Sequence, residues 1–203
     1  ALLDLPGVAG ARAYSMSNLP NGEGLWQFVI KQIGAGRGGA ALFEGLQPGD
    51  TIGLDGPYGM AHLRPDNDRD IVCVGGGSGI SPLLSILAAA ARAPQLASKR
   101  LLLFYGGRTP ADLCAPALLA RDEALARRVE CVTAISDLAH AGAWEGQRGF
   151  VHQVLQGWLE SAGDASRYDY YFCGPPPMTD ALQRLLMLEK RVPTAQLHFD
   201  RFV

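Results

Sequence analysis

The chain has 203 residues, of which 48% are hydrophobic and 19% charged, which indicates a globular protein and excludes a disordered one. Its formal net charge is −2 and no basic stripe is interleaved with aromatic residues, so we expect no nucleic-acid partner. No apolar run approaches about 18 residues and the first twenty residues lack a signal-peptide pattern, so we expect a cytoplasmic protein with no membrane partner.

The first third of the chain carries short strand-like segments separated by Gly, Pro and Asn turns, as in a small antiparallel barrel or sandwich. The predicted strands cover residues 1–5, 12–16, 25–33 and 51–54. A glycine-rich loop at 34–41 precedes the last of them and opens a short predicted helix. Backbone N–H groups in such a loop can hold an anion, although a flexible turn that binds nothing fits the same residues.

From about residue 70 the pattern becomes strands alternating with helices, which predicts a doubly wound parallel sheet. The polar segment 63–69 is the expected linker. The predicted strands are 71–74, 100–105, 129–134, 168–173 and 196–199, and the predicted helices are 80–92, 116–126, 150–160 and 177–190. In such a sheet the ligand lies at the carboxyl ends of the strands.

Three of these carboxyl ends carry glycines. The first ends in Gly75-Gly76-Gly77-Ser78-Gly79, the second in Gly106-Gly107-Arg108 and the fourth in Cys173-Gly174 followed by three prolines. Glycines let the backbone approach a ligand closely, and the following helix start attracts a phosphate. An empty turn explains the first cluster equally well when it is taken alone, and a buried small residue explains Cys173.

A second group of residues, Arg12-Ala13-Tyr14-Ser15, lies in the first region. Alternation along a strand directs Arg12 and Tyr14 to one side and Ser15 to the other. A guanidinium, an aromatic ring and a hydroxyl suit a phosphate, a planar ring and a heteroatom. Each residue taken singly also fits an ordinary surface or core role.

In this order the segments resemble the ferredoxin–NADP(+) reductase family, and within it the NADH-dependent reductase components of bacterial aromatic-ring mono- and dioxygenases. The resemblance covers essentially the whole chain and rests on six motifs. They are Arg12-Ala13-Tyr14-Ser15, the 36–41 loop before Leu46-Gln47-Pro48-Gly49-Asp50, Gly56-Pro57-Tyr58-Gly59, the 75–82 turn, Tyr105-Gly106-Gly107-Arg108 and Cys173-Gly174-Pro175-Pro176-Pro177-Met178.

The resemblance implies a partial, antiparallel FAD-binding β-barrel over residues 1–64 and an NAD(P)H-binding α/β domain over 65–203, whose C-terminal tail returns to the flavin. Ser15, beside flavin N5, and Cys173, beside the nicotinamide, are the implied catalytic residues. The implied flavin residues are Arg12, Tyr14, Ser15, Gly36, Arg37, Gly38, Gly39, Ala40 and, in the tail, Phe202. The implied dinucleotide residues are Gly76, Gly77, Ser78, Gly79, Ser81, Pro82, Gly107, Arg108, Cys173 and Gly174.

The implied activity is hydride transfer from NADH to FAD, followed by single-electron transfer to an iron–sulfur centre that serves an aromatic-ring oxygenase. A stand-alone flavin, ferredoxin or haem-coupled reductase is the alternative enzyme, and a non-catalytic flavin- or dinucleotide-binding module is the alternative of another class. Asp112 stands close to Arg108 and no Lys or Tyr follows to complete a 2′-phosphate site, so NADH is expected rather than NADPH.

Two departures from the family pattern give further expectations. Only about a dozen residues precede Arg12, so the opening strands of the barrel are expected to be missing. The four cysteines show no C-x4-C-x2-C spacing and no CxxC pair, so we expect no metal site in this chain. The 2Fe–2S cluster is then expected on a missing ferredoxin-like domain or on a partner protein.

Overall fold

The first region of the structure, a computed structural model that describes residues 1–34, 36–59 and 61–201, is a small antiparallel sheet. Its strands are β1 (Leu2–Asp4), β2 (Arg12–Ala13) and β3 (Gly53–Asp55), and β1 lies in the middle. Helix α1 (Arg37–Ala40) follows the glycine-rich loop and continues as a wider π-helical segment, Ala41–Gly45. The predicted helix after this loop is therefore present.

Two predicted strands of this region are corrected. The segment 12–16 is a strand only over β2, and the segment 25–33 forms no strand; a single bridge joins Met16 to Phe28. Side chains supply the reason, since Asn18 Oδ1 accepts the Gln27 N–H at 2.9 Å and Asn21 Oδ1 accepts the Leu25 N–H at 3.0 Å. Asparagine side chains thus take backbone groups that a strand ladder would pair.

The second region is a six-stranded parallel sheet with the order β7-β6-β5-β4-β8-β9. Its strands are β4 (Asp70–Gly76), β5 (Leu101–Gly107), β6 (Val129–Ile135), β7 (Gln147–Arg148), β8 (Tyr168–Gly174) and β9 (Leu197–Arg201). Its helices are α2 (Ile80–Arg92), α3 (Ala115–Leu119), α4 (Glu123–Arg128), α5 (Val151–Ala162) and α6 (Pro176–Gln183), which continues as a π-helical segment, Arg184–Glu189. The predicted fold class, a partial antiparallel β-barrel followed by an α/β domain with a doubly wound parallel sheet, is confirmed, and the barrel part is the three-stranded sheet.

Alternate residues of each central strand pack on opposite faces of the parallel sheet. On β4, Ile71 and Cys73 join the core formed with α2, α3 and α4, whereas Val72 and Val74 join the core formed with α5 and α6. This two-sided burial explains the continuous apolar runs in the sequence. The order of strands reverses beside β4, which has β5 on one side and β8 on the other, and such a switch point is where doubly wound sheets bind ligands.

Several predicted boundaries in this region change. Helix 116–126 is wrong, since Asp122 adopts an extended conformation and separates α3 from α4. Gly75, Gly76 and Gly107 belong to strands and not to turns, and the first turn proper is the short Gly77–Gly79 segment. Strand β7 was not predicted, because two residues carry no periodicity. Within the described ranges, the helices are all too short or too polar to cross a bilayer.

The side chain of Asp122 caps the amino-terminal end of α4, and replacing it tests how much the cap stabilises the protein. Its Oδ1 accepts the N–H groups of Ala124 and Leu125 at 2.9 and 3.2 Å. We expect Asp122→Ala to lower the free energy of unfolding by about 1 kcal/mol, measured by urea denaturation.

Asp122→Asn is the matched control, since asparagine also caps helices and the variant loses only the exposed ion pair with Arg92. Its loss should stay below about 0.5 kcal/mol. An equal loss in both variants would assign the effect to the ion pair instead of the cap.

Candidate functional site

The glycine turn after β4 packs directly on the end of β8. A Cβ atom on Gly79 would overlap the carbonyl group of Cys173 and lie 3.0 Å from the Gly174 Cα. Gly77 has a φ of 57°, which also favours glycine. The two strand ends on either side of the switch point therefore meet backbone to backbone, and only glycine permits this approach.

Buried hydroxyl groups hold the turn in place. Tyr105 of β5, buried beneath it, donates a hydrogen bond to the Gly77 carbonyl at 2.8 Å. Ser81, in the first turn of α2, is 2% exposed and bonds outside its own domain, to Val29 and Ser15. Groups of the protein itself therefore hold the turn, from β5 beneath it and from the first region beside it.

Cys173 lies at this meeting point as a neutral thiol. It is 1% exposed, and burial, with a smaller contribution from the charge of Asp200, raises its pKa to about 12. Parallel pairing places it beside Gly75 on one side and Asp200 on the other. An uncharged group at this position suits an apolar wall, and a thiolate nucleophile is not formed at neutral pH.

Asp200 was missed by sequence reasoning. It is half-buried, and burial raises the pKa of its carboxyl group. A Cβ atom on Gly59 would lie 3.6 Å from its Oδ2, so the Gly-Pro-Tyr-Gly loop of the first region reaches the same place. Predicting that Asp200 lies beside Cys173 would have required the register between β8 and β9, and hydrophobic periodicity does not give that register.

A second cluster forms on the antiparallel sheet. A Cβ atom on Gly38 would lie 3.4 Å from the Tyr14 hydroxyl and 3.9 Å from the Arg12 Cγ, so the strand motif and the start of α1 adjoin. Arg12 is exposed, and its guanidinium makes a 3.3 Å bond to the Gly10 carbonyl. Burial raises the pKa of Tyr14, and the charge of Arg12 partly opposes that.

The two clusters are joined across the domains. The Ser81 hydroxyl donates to the Ser15 carbonyl at 2.6 Å, and Lys31 Nζ lies 2.6 Å from Asp112 Oδ1. The Ser15 hydroxyl has no hydrogen bond to any other residue that the structure describes.

Charges at the end of β5 compensate one another. The hydrogen bond from Lys31, with that from the Thr109 backbone, lowers the pKa of Asp112 to about 2. Arg108 is well exposed and its guanidinium lies 3.5 Å from Asp137, whose pKa is held below its usual range first by a hydrogen bond from His140. The sequence did not predict that Lys31 lies at this site, because 81 residues separate it from Asp112.

The predicted residues separate into those clusters. Gly36 precedes α1, Arg37, Gly38, Gly39 and Ala40 form it, and Gly107 packs against Asp112. Pro82 is buried in α2, and Ser78 lies in the turn itself. Phe202, predicted in the tail, lies outside the described residues. The cysteines are free thiols, and no cluster of three metal-ligating side chains occurs among the described residues.

Comparison with known families agrees with this division. The oxidoreductase NAD-binding domain model matches residues 73–184. The chain belongs to that family. The oxidoreductase FAD-binding domain model matches residues 2–63, so this NAD-binding family member also carries an FAD-binding domain.

Curated relatives point in the same direction. The ferredoxin–NAD(P)(+) reductase CarAd of Metapseudomonas resinovorans is 42% identical over 98% of this chain and 56% of its own length. The ferredoxin–NAD(+) reductase component of the alkene monooxygenase system of Xanthobacter autotrophicus is 39% identical over 100% of this chain and 60% of its own length. The chain therefore spans a little over half the length of the curated relatives it matches.

A solved structure gives the same fold. The ferredoxin reductase in carbazole 1,9a-dioxygenase superimposes with a TM-score of 0.87 at 38% identity, covering 99% of this chain and 58% of that one. The family, its oxidoreductase class and the order of FAD- and NAD-binding domains are thereby established.

The residues present fit both cofactors. Beside α1, an added Cβ on Gly39 would meet open space, and the exposed Arg12 adjoins the N–H groups of the first helical turn, which have no helical acceptors. At the switch point, a Cβ on Gly76 would lie 3.1 Å from Met178 Sδ and 3.4 Å from the Gly106 carbonyl, so the strand ends pack closely, and the Gly77–Gly79 turn beyond them leads directly into the start of α2. Both places suit a pyrophosphate.

Replacement of Gly79 tests the backbone contact. Gly79 has φ −59° and ψ −14°, values open to any residue, so only the overlap with Cys173 opposes a side chain. We expect Gly79→Ala to lower the free energy of unfolding by about 1 to 3 kcal/mol, measured by urea denaturation.

Gly157→Ala on α5 is the control, because an added Cβ there meets nothing within 4 Å. Alanine should raise stability there by up to about 1 kcal/mol. If Gly79→Ala were as harmless as Gly157→Ala, the packing of the turn on β8 would be looser than the structure has it.

Proposed function

We propose that the chain is the flavin and dinucleotide unit of an electron-transfer reductase: it takes a hydride from NADH onto FAD and passes electrons singly to an iron–sulfur centre of an oxygenase system. The observation that carries this is the direct connection between the two clusters. The backbone of Ser15 is hydrogen-bonded to the helix that begins at the glycine turn. A flavin beside Ser15 and a dinucleotide at the turn would share one cleft.

FAD would supply the redox chemistry, accepting a hydride as NADH becomes NAD+ and passing its two electrons one at a time to two one-electron acceptors, with release of one proton. The protein would bind the two cofactors, orient their rings and shield them from water. Arg12 would pair with the flavin pyrophosphate, together with backbone N–H groups of residues 36–40. Tyr14 would pack on the flavin ring, and the Ser15 hydroxyl would donate to its N5.

The dinucleotide would bind at the carboxyl ends of β4, β5 and β8. The backbone of residues 76–79 would hold its phosphates, and the neutral Cys173 with Gly174 would line the nicotinamide pocket. An apolar thiol excludes water without adding charge, which suits the transfer of a hydride. Hydride transfer needs no general base, so the raised pKa of the buried thiol is compatible with this role.

We propose NADH as the donor, and the charges at the end of β5 support this. Arg108 lies beside Asp137, which is also hydrogen-bonded to His140, and Lys31 is paired with Asp112, so each of the two basic side chains has a carboxylate partner. The 2′-phosphate of NADPH would meet no net positive charge there. The ribose hydroxyls of NADH need none.

The acceptor is proposed as a 2Fe–2S ferredoxin-like domain or protein. Relatives named as ferredoxin reductases of oxygenase systems support this, as does the single-electron capacity of a flavin. The domain division at residue 64/65 is part of the same proposal, since the two family models end and begin at 63 and 73.

The proposed function predicts a yellow protein that NADH bleaches. Under anaerobic conditions we expect the visible flavin absorption to fall faster with NADH than with NADPH. Arg12→Ala should weaken FAD binding by about tenfold or more, because a charge-assisted bond to phosphate is lost. The control is Arg167→Ala, because Arg167 is exposed and lies just before β8, at the end opposite to Cys173. This variant should leave FAD binding unchanged.

A protein that takes up no FAD would refute the proposal at its first step. A flavin-loaded protein that neither dinucleotide reduces would instead be a non-catalytic binding module.

The proposed donor preference predicts a gain from Asp137→Asn. The variant frees Arg108 for a 2′-phosphate, so the kcat/KM ratio of NADPH to NADH should rise about two- to fivefold, as expected for an exposed ion pair. Adding Arg108→Ala should abolish the gain. A wild-type protein that already prefers NADPH would contradict the assignment of NADH.

A further inference from the structure

Ser81 makes contacts that its place in the glycine-turn motif does not explain. Its hydroxyl accepts the Val29 N–H at 3.0 Å and donates to the Ser15 carbonyl at 2.6 Å. Both partners belong to the first region, 52 and 66 residues away in sequence. One buried hydroxyl therefore bridges two backbone segments of the flavin-binding domain.

Because of these hydrogen bonds, the Ser81 side chain has no donor left for a phosphate oxygen. A serine hydroxyl has a single hydrogen, and that of Ser81 is directed to the Ser15 carbonyl. The residue is 2% exposed, so a dinucleotide would not reach it without a rearrangement. Its role differs from that of the backbone N–H groups around it.

The elements on the two sides of the bridge differ in rigidity. Helix α2 is fixed by core residues on both sides of Ser81, namely Ile80 and Leu83, which are fully buried. The Ser15 side belongs to a short sheet whose strand β2 ends at Ala13, so few ladder bonds hold Ser15 itself. The hydrogen bonds of Ser81 therefore fix the less constrained Ser15 segment relative to the well-packed helix α2.

Another polar contact across the domains, the Lys31–Asp112 ion pair, is weaker. The Lys31–Asp112 pair is exposed, with 45% of the lysine side chain accessible, and such pairs are screened by solvent. It also lies at the end of β5 and not at Ser15. Ser81 is the buried contact that reaches the Ser15 backbone directly.

We propose that Ser81 is a positioning residue that sets the distance between the dinucleotide turn and the Ser15 segment, and thereby the alignment of nicotinamide and flavin. The inference rests on the proposed function, because this distance matters when a hydride crosses from one ring to the other. Alignment within a fraction of an ångström governs such a step. Phosphate binding by the turn's backbone does not depend on the bridge.

The test compares Ser81→Ala with Ser85→Ala in the flavin-loaded protein. Ser85 stands on the same helix, but its hydroxyl donates to the Pro82 carbonyl within α2, at 2.9 Å. We expect Ser81→Ala to lower the limiting rate of flavin reduction by NADH about tenfold, with the dissociation constants of FAD and NAD+ unchanged within about twofold. Ser85→Ala should change neither the rate nor the constants.

Two further variants separate hydrogen bonding from packing. Ser81→Thr keeps the hydroxyl and should restore most of the rate, whereas Ser81→Cys fills nearly the same volume with a weak hydrogen-bonding group and should stay slow. Amide hydrogen exchange of Val29 reads the bridge without any turnover. We expect Ser81→Ala to accelerate that exchange by about tenfold or more, because the N–H loses its acceptor.

The proposal is overturned if Ser81→Ala weakens NAD+ binding while the limiting rate stays the same, since the hydroxyl would then serve the phosphates. It is also overturned if a functional wild type and Ser81→Ala reduce flavin equally fast, which would leave the proposed function intact. A wild type that neither dinucleotide reduces refutes the proposed function and the positioning role together. Val29 exchange then still reports whether the bridge exists.

Discussion

The backbone contact between the glycine turn and the end of β8 is the constraint on which the site depends. Gly79 leaves no room for a side chain above the Cys173 carbonyl, and the hydrogen bond from Tyr105 to Gly77 holds the same turn from below. The strand that leads into this turn, β4, is buried on both faces and closely packed. The dinucleotide site proposed above lies where these strand ends and the glycine turn meet at the switch point.

The same site joins two sheets of unequal stability. The parallel sheet carries two extensive apolar cores, whereas the antiparallel sheet has strands of two or three residues and several exposed apolar side chains. Ser15 belongs to the less constrained part, and its backbone is bonded to a helix of the more constrained one. Such an arrangement lets a rigid nucleotide domain determine geometry at a residue outside it.

Two parts of the proposed dinucleotide site differ in their electrostatics. The hydride would pass beside an uncharged thiol, whereas the adenosine end of the dinucleotide would lie beside paired charges. Burial keeps the Cys173 thiol neutral, and Asp200, the paired residue on β9, is a half-buried carboxyl group whose pKa is raised by burial. At the end of β5, Arg108 and Lys31 face Asp137 and Asp112. The first environment suits the redox step of the proposed function, and the second suits a donor without a 2′-phosphate.

The sequence by itself determined the parallel sheet, its glycine-rich strand ends and the Arg12, Tyr14 and Ser15 motif, because continuous apolar strands and glycine turns depend on local residues and on burial from both sides. It did not determine the break before α4 or the absence of a strand at 25–33, where the capping bonds of Asp122 and the side chains of Asn18 and Asn21 outweigh propensity. Only the tertiary structure brought Lys31 to Asp112, Asp200 to Cys173 and Ser81 to Ser15. These pairs join segments far apart in the chain or depend on strand register, and no local pattern encodes which distant groups will meet.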